Sequence, residues 1–283
     1  MKATQAFRQG LALGYSPRLW GFLCVSALAV LMLTFFLFSL AGLAVTGQHS
    51  WYAFFVILAQ YSNGLNAFTW TQMIVYGTTS LLIYIASMLF FTAFFDVCCD
   101  FVVKRPVSWF KSMKRAAHQI LAISSLAITV SVCSFAIYGL CSMLGIASLI
   151  GSYCMILVSF LFSFSPLVIV REQLPIPAMF KRSFNVLKDC IIQFLGLIGL
   201  YWVAFVLTTG AFIIIALAIV LVLEYLLNTS LVELTQQSTL FAFVAAFLVS
   251  LVLYLWLYLY TAFSVGLASV YLSEQQAGLG KGN

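Results

Sequence analysis

The sequence predicts an all-α membrane protein, a polytopic helix bundle with about six transmembrane helices and short interfacial amphipathic helices. Of its 283 residues, 64% are apolar and 7% are charged, and four long stretches carry no charge. Soluble domains contain roughly 25% charged and about 45–50% apolar residues. A chain this apolar has too few polar side chains to cover a globule in water, so lipid must be part of its solvent.

The four uncharged stretches have room for six helices within one membrane domain, residues 1–283. They run from Arg18 to Asp96, Arg115 to Arg171, Asp189 to Glu224 and Glu233 to Glu274. A helix needs about 20 apolar residues to cross a hydrocarbon core of roughly 30 Å, so these stretches hold two, two, one and one spans. The predicted spans are 19–45, 68–97, 118–141, 147–170, 191–223 and 239–272.

The basic residues predict the orientation. With six spans, all 13 lie on one side of the membrane, whereas Glu224 and Glu233 lie on the other. Cytoplasmic loops carry the excess of Lys and Arg, so both termini are expected in the cytoplasm. The basic residues are Lys2, Arg8, Arg18, Lys104, Arg105, Lys111, Lys114, Arg115, Arg171, Lys181, Arg182, Lys188 and Lys281.

The net charge of +6 follows from this topology and does not indicate nucleic-acid binding. Nucleic-acid binding requires basic residues clustered on a solvated domain. Basic residues beside a membrane instead attract anionic lipid headgroups, by roughly 1 kcal/mol each. Membrane lipids are therefore the expected partners on the cytoplasmic face.

Short amphipathic helices are predicted in the basic loops. Segment 106–115 begins with Pro and Ser, a helix-start signal, and sets its apolar side chains opposite its basic ones. Segments 175–188 and 6–11 are built alike, which is typical of helices lying in the headgroup plane. Each contains a Phe followed by Lys or Arg before a helical hairpin, so the chain is either three copies of one unit or a chance likeness.

Two carboxylates mark the end of the second span. Asp96, Asp100 and Lys104 follow one another at intervals of four, on one face of a helix. One interpretation is the acidic mouth of a pathway, with Asp96 the deeper group. The other is an Asp100–Lys104 pair in the wet headgroup zone.

Polar side chains also form stripes in spans four and six. Small residues allow close helix approach in lipid, so the first stripe is either a packing seam or the polar wall of a pathway. A buried phenol needs a hydrogen-bond partner, so the tyrosines of the second stripe bond to another helix or face a cavity. The stripes are Ser148, Ser152, Ser159 and Ser163, ending near Pro166, and Tyr254, Tyr258 and Thr261.

No catalytic, cofactor or metal site is predicted. The seven cysteines contain no CxxC pair, and the two histidines, His49 and His118, fall on opposite sides of the membrane. Glycine-rich phosphate loops and HExxH are absent from the sequence. An enzyme acting on lipid would need a reactive group at the interface, and Asp96 or Glu172 would be its first candidate.

Two stretches resemble an uncharacterised family of six-span bacterial inner-membrane proteins. They are FFTAFF at 90–95 followed by 106–115, and FSPLVIVRE at 164–172 followed by AMFKRS at 178–183. The layout over residues 5–272 is also similar to the membrane domain found beside some glycerophosphodiesterases. The resemblance implies the bacterial inner membrane, implies no known activity and carries over no catalytic residue.

The sequence therefore favours a non-enzymatic membrane scaffold or envelope-organising protein. Such a protein could form a homo-oligomer, and the sequence identifies no other protein partner. The alternative is a transporter or channel for a small polar or amphipathic solute. Spans two, four and six would line its route. The lining residues would be Asp96, Ser152, Ser159, Tyr254 and Tyr258.

Overall fold

The computed structural model describes residues 1–46, 70–143, 161–227 and 239–280. These residues form eight helices and no strand, which confirms the all-α prediction. The helices are α1 (Ala3–Gly14), α2 (Pro17–Thr46), α3 (Trp70–Val102), α4 (Trp109–His118), α5 (Ile120–Met143), α6 (Ser165–Glu172), α7 (Ile176–Leu227) and α8 (Thr239–Gly280).

Five of the described helices are long and apolar enough to cross a membrane. They correspond to the first, second, third, fifth and sixth predicted spans. The fourth predicted span, 147–170, lies mostly outside the described residues, and α6 is its described end. The apolar segments are Pro17–Leu43, Gly77–Val102, Ile120–Cys141, Ile176–Ile215 and Val252–Gln276.

Local sequence explains where helices near the basic loops begin and end. Ser108 caps α4, since its hydroxyl accepts from the Lys111 backbone N–H at 3.5 Å. Beyond the end of α3, Lys104 has a left-handed backbone with φ 57°. Gln173, directly after α6, also has a left-handed backbone, with φ 49°, and Pro175 stands two residues later. The amphipathic helix predicted at 106–115 is thus present, shifted by three residues at each end.

The separate surface helix predicted at 175–188 is wrong. It is the first part of α7, which continues without a break for 52 residues. No Gly or Pro stands between Ala178 and Leu195, so nothing interrupts the backbone hydrogen bonds. Of the apolar side chains that the sequence sets opposite the basic ones in this segment, Met179 and Leu187 are buried, whereas Phe184 is 58% exposed.

The residue contacts divide the chain into two compact units. The first unit comprises residues 1–20 and 190–283, and the second comprises residues 21–189. In the first unit, α1 packs along α8. In the second, α4, α5 and α6 each pack on α3.

The contact between α1 and α8 depends on small residues. Ala6, Gly10 and Gly14 form the buried face of α1, one turn apart. A Cβ on Gly14 would lie 2.9 Å from the Cα of Ala262, and one on Gly10 would collide with the Ala262 carbonyl oxygen. Small residues let helix backbones approach closely, so α1 is held against α8 through its glycine face.

Gly10→Ala should therefore destabilise the protein, by about 1–3 kcal/mol, since inserting a methyl into a filled contact forces the helices apart. Reversible unfolding of the full chain in mixed micelles, followed by circular dichroism, measures the change. The matched control is Gly199→Ala in α7, where a Cβ meets open space. Equal stability of Gly10→Ala and Gly199→Ala would contradict the close contact.

Candidate functional site

The candidate site is the end of α3 in the second unit. Asp96 and Asp100 lie one turn apart on one face of this helix, and they are 0% and 6% exposed. Ser112 of α4 is buried beside Asp96. Because a buried ionised carboxylate is costly unless it is paired, the surroundings of these two groups have to supply positive charge.

Two arginines from different helices supply it. From the end of α6, Arg171 places Nε 2.8 Å from Asp96 Oδ1 and Nη2 2.9 Å from Asp100 Oδ1. From α4, Arg115 places Nη2 2.8 Å from Asp96 Oδ2 and 2.9 Å from Asp100 Oδ2. Each guanidinium thus bridges both carboxylates. We call Asp96, Asp100, Arg115 and Arg171 the acid–arginine cluster.

The cluster is formally neutral and differs in exposure from side to side. The Arg171 side chain is 13% exposed and that of Arg115 is 34% exposed, so the cluster meets its surroundings on the Arg115 side. The Asp96 carboxylate oxygens lie at ion-pair distance from the guanidinium nitrogens, but the N–H groups are not aligned with them for hydrogen bonds. The bonds from Arg171 Nη2 to the Asp96 carbonyl oxygen, at 2.7 Å, and to Asp100 Oδ1 are well aligned.

Electrostatics keep Arg171 charged. Burial by itself lowers the pKa of its guanidinium, but the surrounding Cys99, Asp96 and Asp100 side chains together outweigh burial and raise that pKa above its ordinary value. The positive charge that balances the carboxylates is therefore permanent.

The predicted pairing of Asp100 with Lys104 in the wet headgroup zone is wrong. Asp100 is buried, and its ion pairs run to Arg115 and Arg171. The reason is that α3 ends at Val102, before the turn that would bring Lys104 over Asp100, and Lys104 is exposed. In the sequence, Arg115 and Arg171 stand out only as topology signals. Buried carboxylates require cationic partners. Arg171, directly after the predicted fourth span, could have been recognised as such a partner on that ground.

A second set of contacts joins α6 to the start of α7. Arg182 Nε donates to both oxygens of Glu172, at 3.2 and 3.1 Å. The buried Ser165 and Ser183 hydroxyls are 2.8 Å apart and share a hydrogen bond. Glu172, a candidate for lipid chemistry, is thus held in an ion pair, and the cluster holds Asp96, the other candidate.

The serine stripe of span four lies mostly outside the described residues. Ser148, Ser152 and Ser159 fall there, and only Ser163 and Pro166 are described. Ser163 is half-buried just before α6, and Pro166 is buried in its first turn. Whether the stripe is a seam or a pathway wall stays a prediction.

The tyrosines of α8 lie in the first unit. The Tyr258 hydroxyl donates to the Leu11 carbonyl oxygen at 2.9 Å, which ties α8 to α1. Tyr254 is 43% exposed, and its ring centroid lies 4.6 Å from that of Trp20. Thr261 donates to the Leu257 carbonyl oxygen of its own helix.

No family model, curated protein or solved structure matches this chain. The resemblance to the six-span bacterial family therefore stays a prediction. Among the described residues, no group of three His, Cys, Asp or Glu side chains is placed to hold a metal ion.

Arg171→Gln should destabilise the protein strongly, by about 3–5 kcal/mol, because it leaves two buried carboxylates with one guanidinium. Lys104→Gln, which removes a charge from an exposed side chain, should change stability little. The free energy of unfolding of the full chain in mixed micelles distinguishes them. If the two variants were equally stable, the cluster would not hold these helices.

Proposed function

We propose that this chain is a multi-pass protein of the bacterial inner membrane, with both termini in the cytoplasm, that acts without catalysis as a membrane scaffold. Its five apolar helices support membrane insertion. The one-sided distribution of the basic residues supports the orientation.

The acid–arginine cluster is the observation that carries the proposal. Asp96, Asp100 and Glu172 are the groups of the second unit best placed for chemistry, and each is bound by an arginine. Those bonds join the ends of α3, α4 and α6, and join α6 to α7. Side chains held by two partners keep helix ends in fixed positions, as a platform for other molecules requires.

The surface of this platform is cationic. Arg115, Arg171 and Arg182 neutralise the three acids. Of the acidic residues in the second unit, only the exposed Asp189 is then left to offset the positive charge of its other basic side chains. The exposed basic side chains of the second unit are Lys104, Arg105, Lys111, Lys114, Lys181 and Lys188. Such a surface favours anionic partners.

The scaffold role predicts stable assembly. Full-length protein extracted in mild detergent should be recovered as a homo-oligomer or with a stoichiometric partner, measured by native mass spectrometry. Arg171→Gln, which loosens the platform, should reduce that assembly several-fold relative to Lys104→Gln. Recovery of the unmodified chain as a monomer without a protein partner would contradict the proposal.

One observation favours the alternative, a transporter or channel for a small polar or amphipathic solute. The Thr92 hydroxyl is buried one turn from Asp96 on the same face of α3, and no described residue forms a hydrogen bond with it. Buried polar atoms without partners are rare, so this one is consistent with a polar route towards Asp96.

Cysteine labelling at this position distinguishes the two functions. In a background whose native cysteines are replaced, the scaffold predicts that Thr92→Cys is protected from a water-soluble thiol reagent, because the position is 0% exposed. The control is Thr78→Cys, at an exposed position within the apolar part of the same helix. Its labelling rate gives the background expected for a side chain that faces lipid. Rapid labelling of Thr92→Cys alone would favour a pathway.

A further inference from the structure

The position of α4 along the chain keeps it close to the membrane surface. The apolar segment of α3 ends at Val102, and that of α5 begins at Ile120. Six residues join Val102 to the start of α4, and a single residue separates α4 from α5. At about 3.3–3.6 Å per extended residue, the first link reaches roughly 20 Å, and the second fixes the end of α4 next to a span.

The packing of α4 fixes which of its faces points outward. Ser112 and Ala116 are 0% exposed and form its inner face. Arg115, on the same side, enters the acid–arginine cluster. A rotation of α4 that turned its other side chains inward would remove Arg115 from both carboxylates.

The outer face combines an aromatic ring with two cations. Phe110 is 80% exposed, and Lys111 and Lys114 are exposed beside it. An exposed phenylalanine flanked by lysines is typical of helices that lie at the boundary between headgroups and acyl chains. The nearby carboxylates Asp96 and Asp100 do not offset the lysines, because the two arginines already neutralise them.

We infer that this outer face, Phe110, Lys111 and Lys114, is a binding surface for anionic phospholipid headgroups. The two ammonium groups meet the lipid phosphates, and the Phe110 ring enters the apolar layer below them. The inference deepens the proposed membrane scaffold and rests on it, because it names the lipid class to which the cationic platform binds.

Lipid retention by the full-length protein tests this surface. Native mass spectrometry in a non-ionic detergent compares dioleoylphosphatidylglycerol with dioleoylphosphatidylcholine as added lipids. Roughly 1 kcal/mol for each basic residue near the surface corresponds to about fivefold in binding. Lys111→Gln/Lys114→Gln should therefore weaken phosphatidylglycerol retention by about 20- to 30-fold and leave phosphatidylcholine unchanged, whereas Lys111→Arg/Lys114→Arg should retain the lipid.

The matched control removes the same charge from the neighbouring loop. Lys104→Gln/Arg105→Gln removes the same charge from two exposed basic residues outside α4. General attraction of anionic lipid acts on these residues too, so the assignment to α4 predicts a clearly smaller loss of phosphatidylglycerol here than in Lys111→Gln/Lys114→Gln. An equal loss in both double variants would overturn the assignment to α4, as would loss of the lipid in the arginine variant.

Soluble glycerol 3-phosphate distinguishes the membrane from a free phosphate ligand. It should leave phosphatidylglycerol bound, because it offers nothing to the Phe110 ring. Displacement of the lipid by glycerol 3-phosphate at equal concentration would overturn the inference. The scaffold role is tested separately from lipid binding. A protein that is recovered as a monomer without a protein partner, yet still retains phosphatidylglycerol, would contradict the scaffold role and leave the lipid surface supported.

Discussion

The neutralisation of two buried carboxylates is the constraint on which the second unit depends. Asp96 and Asp100 cannot stay ionised inside an apolar bundle without positive partners, and neither partner comes from α3 itself. The requirement thus decides where α4 and α6 lie, because each contributes one arginine. Replacing both partners by apolar groups is often tolerated in proteins, whereas removing one is costly, so such a cluster specifies geometry more than it adds stability.

Small residues solve a related problem at three places. Each amphipathic segment contacts a span or its described end through a small side chain. The contacts are Gly10 of α1 against Ala262 of α8, Ser112 of α4 beside Asp96 of α3, and Ser183 of α7 against Ser165 of α6. The triplet Thr–Ala–Phe occurs both at 92–94 in α3 and at 261–263 in α8. These likenesses agree with a chain made of three copies of one unit, which stays a prediction.

The sequence predicted the features that depend on composition and on local signals. Five apolar helices overlap five of the predicted spans, since charge-free apolar runs have few alternatives to helices in lipid, although the apolar segment of α7 begins at Ile176 and not near residue 191. Ser108 also marked the start of α4, because a cap acts within one turn. The partners of Asp96 and Asp100 were missed because Arg115 and Arg171 are 15 and 71 residues away from Asp100, and topology alone already explained their charge. The continuity of α7 was missed because its amphipathic start ends in a change of composition and not in a helix-breaking residue.

A double-mutant cycle between Asp96 and Arg171 tests the central claim most directly. The free energies of unfolding of Asp96→Asn, Arg171→Gln and the double variant give the coupling energy. Residues in one buried network couple by about 0.5–3 kcal/mol, and we expect a value above about 1 kcal/mol. The reference cycle, Asp100→Asn with Lys104→Gln, should be additive. Additive effects of Asp96→Asn and Arg171→Gln would contradict the account.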